Sequence, residues 1–204
     1  MLFDETYNEI YNNGSGIYKE KGSKFIGYSF LVQNENQIKK IVKKIKETEK
    51  SANHYCYAYV LYPDKSVFKT NDDGEPSSTA GKPILTQIKT HDLTNILIIV
   101  IRFFGGKKLG IPGLIRAYKN AALAAIKNTK IITKKISEQY ELNFEHTEMD
   151  IVMKFIKNFN FKIEKTDFRE KCKLVFNLPK NNTDTLIRFI ENNPSITMKY
   201  IKLL

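Results

Sequence analysis

The spacing of apolar and polar residues predicts short strands and amphipathic helices along the whole chain. Residues 24–32 (KFIGYSFLV) alternate as a half-buried strand does, and the glycines within 14–16 predict a turn ahead of it. Residues 34–49 change to a helical period, and Asn34 is in position to cap that helix, with Gln37 three residues later. This first stretch therefore predicts a strand followed by a capped helix.

The middle of the chain predicts a sheet with helices against it. An aromatic strand is expected at 55–62 with a short return strand at 67–69, and ILIIVI (96–101) predicts a strand buried on both faces. Two helices are expected to begin near Pro83 and Pro112, because proline is tolerated in a first helical turn. The second helix has a face of mostly small residues that can lie close to a sheet: Leu114, Tyr118, Ala121, Ala122 and Ala125.

The pattern changes from about residue 136. A strand, a helix, a hairpin, a helix and a strand follow one another to the C-terminus, with Thr147 expected to cap the first of these helices. The order βαββαβ is that of the split βαβ, ferredoxin-like unit. We therefore predict two α+β domains, residues 1–133 and 137–204.

Charge adds an asymmetry to this picture. The chain of 204 residues carries a formal net charge of +11, and residues 82–135 hold 11 Lys and Arg with Asp92 as the one acid. Residues 137–204 are close to neutral, which a uniform bias toward lysine codons would not produce. The asymmetry favours a polyanion-binding face over a merely solvated surface, and both interpretations stay open.

The remaining composition narrows the class of protein. Cys56 and Cys172 give neither a metal-ligand spacing nor a disulfide framework. The longest apolar run is six residues, far below the roughly 18 that a membrane span needs, and the acidic N-terminal segment lacks the pattern of a signal peptide. We expect a cytoplasmic protein without a cofactor, a metal site or a membrane contact.

The segment 71–83 (NDDGEPSSTAGKP) is the first candidate site. It is not a nucleotide P-loop, because six residues separate Gly74 from Gly81 and Pro83 stands where a P-loop has Ser or Thr. A long irregular segment inside a compact domain is uncommon and often functional. We interpret it as a recognition loop, while a surface connection and a loop carrying a base or a cation stay open. Its candidate residues are Asp72, Asp73, Glu75, Ser77 and Thr79.

The segment 102–116 is the second candidate site. A glycine-rich loop that leads from a buried strand to a helix N-terminus presents free N–H groups and the positive end of the helix dipole. The segment therefore predicts an anion site, suited to nucleic-acid phosphate, against the alternative that its glycines only allow a tight turn. The candidate anion-binding residues are Lys82, Arg102, Gly105, Gly106, Lys107, Lys108, Gly110 and Arg116.

Two further features are interpreted as structural. His54 and Cys56 would share one face of a strand, which would allow a cysteine nucleophile with a histidine base. Nothing in the sequence orients the histidine as that base. The tyrosines of the same strand offer stacking surface for bases, although strand tyrosines more often serve packing. No catalytic residue is assigned.

Four segments of the chain are distinctive when taken in order: GSKFIGYSF, NHYCYAY, NDDGEPSSTAGKPIL and VIRFFGGKKLGIPGLIRAY. Together they resemble the IMPACT/YigZ family over about residues 14–126. The resemblance implies an α+β fold: an N-terminal α/β sandwich like the second domain of ribosomal protein S5, then a small ferredoxin-like domain similar to a C-terminal domain of elongation factor G. Eukaryotic relatives regulate translation under starvation, in a role that depends on a further domain and its partners.

The family signatures fall on identifiable residues of this chain. The first falls on Asp72, Asp73, Gly74, Glu75, Pro76, Ser77, Thr79, Ala80, Gly81 and Pro83. The second falls on Arg102, Phe104, Gly105, Gly106, Leu109, Gly110, Gly113, Leu114, Arg116, Ala117 and Tyr118. Ser78 stands where the family has glycine, so we expect no positive φ there. Ile111-Pro112 replaces a Thr/Val-Gly pair, which weakens the case for a close approach of this backbone to a ligand.

The sequence thus favours a translation-associated binding protein that contacts RNA or the ribosome through a basic face of its first domain. A protein of the translation machinery is a further expected partner. One alternative is a hydrolase or transferase with its site between the loops 71–83 and 102–116. Another is a protein-interaction module without nucleic acid. We expect that the chain is not an enzyme, although the hydrolase or transferase alternative leaves catalytic activity open.

Overall fold

The computed structural model describes residues 5–204. Contacts group them into two compact units, one formed by Tyr7–Lys134 and the other by Lys135–Leu204 together with residues 5 and 6. Helices and strands occur in both units, so the fold is mixed α/β in two parts, as the sequence predicts. Among the described residues, no helix is both long enough and apolar enough to cross a membrane.

The elements of the first unit form a five-stranded antiparallel sheet, a two-stranded sheet and three helices. They are β1 (Thr6–Ile10), β2 (Gly14–Glu20), β3 (Ser23–Leu31), α1 (Glu35–Thr48), β4 (His54–Leu61), β5 (Val67–Asn71), α2 (Gly81–Thr90), β6 (Ile96–Phe103), α3 (Gly110–Lys127) and β7 (Ile131–Lys135). The large sheet has the order β2-β3-β6-β4-β5, and β1 pairs with β7. The specific likeness to the second domain of ribosomal protein S5 stays a prediction.

Strand β6 is the centre of this sheet and is buried on both faces, as its unbroken apolar run predicts. Ile96, Ile98 and Val100 belong to the cluster that contains residues of α2 and α3. Leu97, Ile99 and Ile101 belong to the cluster on the other face, which contains residues of α1. The helices therefore sandwich the sheet. Strands β5 and β6 are both antiparallel to β4, so the loops that follow them leave the same end of the sheet.

Strand β2 corrects the prediction of a turn within residues 14–16. Those glycines are strand residues against which α3 packs closely. A Cβ atom added to Gly16 would lie 2.5 Å from the carbonyl carbon of Ala124, and one added to Gly27 would lie 2.3 Å from the carbonyl oxygen of Ala121. Glycine in a strand often marks such an approach of another backbone, and the alanine face of α3 is its counterpart.

Helix α1 begins as its sequence predicts. The backbone N–H of Gln37 donates to Oδ1 of Asn34 over 3.0 Å, and Oε1 of Gln37 accepts from the backbone N–H of Gln33 over 2.8 Å. The two side chains thereby satisfy N–H groups that a helix start otherwise leaves without partners. This cap is wholly local, which is why the sequence reveals it.

The second unit has the βαββαβ order. Its elements are β8 (Ser137–Phe144), α4 (Met149–Asn158), β9 (Lys162–Asp167), β10 (Cys172–Pro179), α5 (Thr183–Glu191) and β11 (Thr197–Leu203). All neighbouring strands are antiparallel and the sheet order is β11-β8-β10-β9. Because β10 lies between β8 and β9, the first βαβ unit is split, as in ferredoxin-like folds.

The start of α4 differs from its prediction. A 3₁₀ turn, His146–Glu148, precedes the helix, and Glu145 and Glu148 form a reciprocal capping box around that turn. Thr147 lies inside the turn, so its predicted capping role is wrong. Instead, two carboxylates three residues apart each accept from the other residue's backbone N–H, which fixes the chain one turn before the helix.

Candidate functional site

The loop 71–83 folds back onto the end of β6 through one buried ion pair. Nη1 of Arg102 donates to Oε1 of Glu75 over 2.7 Å, and the two residues are 5% and 8% exposed. Nε of Arg102 is also buried and has no hydrogen-bond partner within residues 5–204. The guanidinium instead lies over the rings of Phe25 and Phe104, with its central carbon 5.5 and 5.4 Å from their centroids. Arg102 is therefore a core residue, although the sequence suggested an anion-binding role.

Glu75 also joins this loop to α3 and β4. The Tyr118 hydroxyl donates to the same Oε1 over 2.8 Å, and Nε2 of His54 lies 4.0 Å from that oxygen. The Cys56 thiol lies 3.4 Å from the Tyr118 hydroxyl. Burial raises the pKa of the Cys56 thiol and of the Tyr118 hydroxyl, so both stay protonated near neutral pH. Cys56 is thus not an activated nucleophile, despite the nearby histidine.

Asp72 serves as a remote cap for α2. Its Oδ1 accepts from the backbone N–H groups of Ala80 and Gly81 over 3.0 and 2.8 Å, and its Oδ2 accepts from the N–H of Ser78 over 2.9 Å. The N-cap residue Ala80 has no side chain that could make these bonds. A carboxylate at a helix N-terminus also interacts favourably with the helix dipole. Asp72 thereby fixes the second half of the loop.

Asp73 fixes the first half. Its Oδ2 accepts from the backbone N–H of Tyr55 over 2.8 Å, and its Oδ1 contacts Nζ of Lys46 at 2.9 Å. Nδ1 of His54 lies 2.9 Å from the Asp73 carbonyl oxygen. Asp72, Asp73 and Glu75 are thus each directed to different partners. Among residues 5–204, no group of three His, Cys, Asp or Glu side chains is arranged to hold a metal ion.

Ser78 corrects a second expectation. Its φ is +63°, in the left-handed region, although the serine at a family glycine position predicted an ordinary φ. The backbone N–H groups of Ser78, Ala80 and Gly81 all donate to the Asp72 carboxylate, and these bonds hold the chain in this geometry. The loop therefore keeps a glycine-like backbone without glycine.

The remaining loop candidates divide between interior and surface. Thr79 is buried and donates its hydroxyl to the Pro76 carbonyl oxygen over 2.7 Å. Ser77 and Lys82 are exposed. The acidic residues and Thr79 thus hold the loop in place through hydrogen bonds, while the side chains of Ser77 and Lys82 are exposed to solvent.

The candidates of the second loop also divide. Lys107 and Lys108 are exposed and, like Lys82, form no ion pair with an acid anywhere in residues 5–204. Arg116 is exposed but pairs with Glu20, with 3.3 Å between its Nε and Oε2 of that acid. Lys119 is a further exposed lysine that the sequence analysis did not select.

The glycines of this loop have two different roles. Gly105 donates its N–H to the Ser23 hydroxyl over 3.2 Å, so this amide already has an internal partner. Gly106 and Gly110 have φ values of +82° and +72° and are exposed, with room beside each Cα atom. Helix α3 then starts without a side-chain cap. The turn-forming role of the glycines is therefore supported, and the start of α3 stays accessible.

Comparison with known proteins places the chain in a family. The two-unit α/β fold is shared with the crystal structure of a hypothetical protein, which is 25% identical and matches with a TM-score of 0.76 over 98% of this chain and 99% of that one. The Impact N-terminal domain matches residues 21–126. The chain is 32% identical to the IMPACT family member YvyE of Bacillus subtilis over 148 residues, 72% of this chain and 68% of that protein. It is 30% identical to YigZ of Escherichia coli over 161 residues, 78% and 79% of the two chains. The chain therefore belongs to the IMPACT family.

Proposed function

We propose that this protein is a translation-associated regulatory protein of the cytoplasm that contacts RNA, free or in the ribosome, through exposed lysines of its first unit. The observation that carries the proposal is that the two loops expose three lysines, Lys82, Lys107 and Lys108, which form no ion pair with an acid in residues 5–204. Family membership supports the link to translation, which its eukaryotic members regulate.

The inward direction of the nearby acids strengthens this argument. Asp72, Asp73 and Glu75 lie in the same loop as Lys82, and free carboxylates there would repel phosphate within a Debye length of about 8–10 Å. Instead, the three side chains bind the start of α2, Lys46 and Arg102. Their negative charge is therefore compensated inside the unit. The exposed lysines can thus attract phosphate with little repulsion from these carboxylates.

Lysine contacts predict a particular kind of binding. Each phosphate neutralised releases counterions, so the logarithm of affinity falls with the logarithm of salt by roughly 0.7 per contact on single strands and 0.9 on duplexes. Contacts to phosphate carry no direct sequence information. We expect salt-sensitive binding with little sequence preference, which suits a protein that follows an RNA backbone.

The test measures affinity for a labelled RNA oligonucleotide by fluorescence anisotropy across a salt series, with sedimentation on ribosomes as a second readout. The variant Lys107→Ala/Lys108→Ala should weaken binding and make the salt slope shallower by about 1.5, which corresponds to two contacts. The matched control is Lys39→Ala/Lys40→Ala, an adjacent pair of exposed lysines on α1 that also forms no ion pair with an acid in residues 5–204. Absence of binding at low salt, or an equal loss in both variants, would refute the proposal.

No observation favours the hydrolase or transferase alternative. Glu75 and Arg102 do meet between the two loops, but each is buried and bound to the other. Neither is therefore available to act as a base or to stabilise charge on a bound substrate.

A further inference from the structure

A groove of about 550 Å³ lies between the loop 71–83, the exposed side of α2 and the first turns of α3. Ile111 and Ile115 line it, one helical turn apart, and are 58% and 39% exposed. Single exposed aliphatic residues are normal, whereas neighbouring ones in a concave surface indicate an interaction site. This groove lies outside the buried cluster around Glu75.

The wall of the groove is fixed before any partner arrives. Ser77 and Thr79 belong to that wall, and the three bonds to Asp72 together with the Glu75–Arg102 pair hold their loop in place. A partner would therefore meet a formed surface and would not have to order the loop, which lowers the entropic cost of association.

The charge of the groove selects the chemistry of its occupant. Lys82 and Lys119 are its charged lining residues, and no acid lines it. An apolar surface flanked by two cations complements aliphatic side chains flanked by carboxylates. RNA fits this surface less well, because isoleucine offers bases neither a ring for stacking nor a hydrogen bond.

We propose that this groove binds an acidic amphipathic helix of a partner protein. The partner's aliphatic side chains would pack on Ile111 and Ile115, and its carboxylates would contact Lys82 and Lys119. Ile111, Ile115 and Lys119 follow one another at intervals of four along α3 and span about 12 Å at 1.5 Å per residue. A short helix with an apolar row of the same spacing matches that length, in the helix-in-groove mode of recognition.

The probe is a labelled synthetic peptide of about four helical turns with leucines four residues apart and flanking glutamates. A second peptide carries lysine in place of every glutamate. The full chain should bind the glutamate peptide and not the lysine peptide. Ile111→Ser/Ile115→Ser should weaken binding by about tenfold or more, as expected for the centre of an interface. Lys82→Glu/Lys119→Glu should reverse the preference, because like charges discriminate against a partner.

The matched control is Ile17→Ser, since Ile17 is 56% exposed and lies on β2, away from the groove lining. Its affinity for the glutamate peptide should equal that of the unmodified protein. Equal binding of both peptides, unchanged binding by the isoleucine variant, or an equal loss in Ile17→Ser would overturn the proposal. Loss of RNA binding in the isoleucine variant would assign the groove to RNA instead. Because the RNA proposal is tested at Lys107 and Lys108, either proposal can fail alone.

Discussion

Replacement of Ser78 by glycine should stabilise the protein, although it removes a side chain. Ser78 has a φ of +63° and an exposed side chain. Its contact with Asp72 is made by the backbone N–H over 2.9 Å, so glycine keeps that bond. The substitution therefore changes the backbone preference at one position and preserves the contacts that hold the loop.

The magnitude follows from two opposing effects. The left-handed conformation costs an L-residue roughly 1–2 kcal/mol, a cost that glycine avoids. Glycine has more freedom in the unfolded chain, which offsets about 0.4–1 kcal/mol of that gain. The free energy of unfolding should thus rise by about 0.5–1 kcal/mol, which raises Tm by roughly 1–4 °C for a chain of this size.

Urea denaturation followed by circular dichroism measures the change, with two comparison variants. Ser77→Gly is the control, because the neighbouring serine is exposed without a positive φ and should lose about 0.4–1 kcal/mol. Gly106→Ser is the converse, since Gly106 has a φ of +82° and free space around it, and it should lose about as much as Ser78→Gly gains. If Ser78→Gly destabilises the protein as Ser77→Gly does, the conformational argument is wrong.

Three further predictions test the buried contacts. Glu75→Gln should cost about 3–5 kcal/mol of unfolding free energy, because it leaves the buried Arg102 cation uncompensated; a urea midpoint near that of the unmodified protein would contradict this. Gly27→Ala should cost about 1–3 kcal/mol or more, since the new methyl meets the Ala121 carbonyl oxygen; an unchanged Tm would count against the close packing of α3. Because burial raises the pKa of the Cys56 thiol, little thiolate exists at pH 8 and a thiol reagent should label it only in denaturant; rapid labelling of Cys56 in the native protein, distinguished from Cys172 by peptide mass spectrometry, would disprove its burial.

The sequence predicts those parts of the fold that depend on neighbours along the chain. The Asn34 cap and the β4–β5 hairpin involve residues close in sequence, and both are present. The prediction of a turn at Gly16 is wrong because the residue that requires glycine there, Ala124, lies more than a hundred positions away in the sequence. Both a turn and a close contact with a helix favour glycine, so only the tertiary structure can distinguish these two explanations.

The candidate site shows the same division. The sequence marks both segments by their residue types, and the alternative with a site between them anticipates that they meet. Nothing in the sequence, however, predicts that Glu75 forms a buried ion pair with Arg102. Their contact depends on the pairing of β4 with β6 and on the backbone N–H groups that donate to Asp72 and Asp73 and so hold the loop in place. The exposed isoleucines of α3 carried no signal, because their exposure follows from the orientation of the helix on the sheet.

The loop 71–83 separates the side chains that shape it from those that face outward. The side chains of Asp72, Asp73 and Glu75 form hydrogen bonds or ion pairs within the fold, whereas those of Ser77 and Lys82 are exposed. Substitution at the outward positions can therefore alter what the loop recognises while the scaffold remains intact. Such a surface is suited to divergence, because descendants of one ancestral chain can acquire different partners without first having to regain a stable fold.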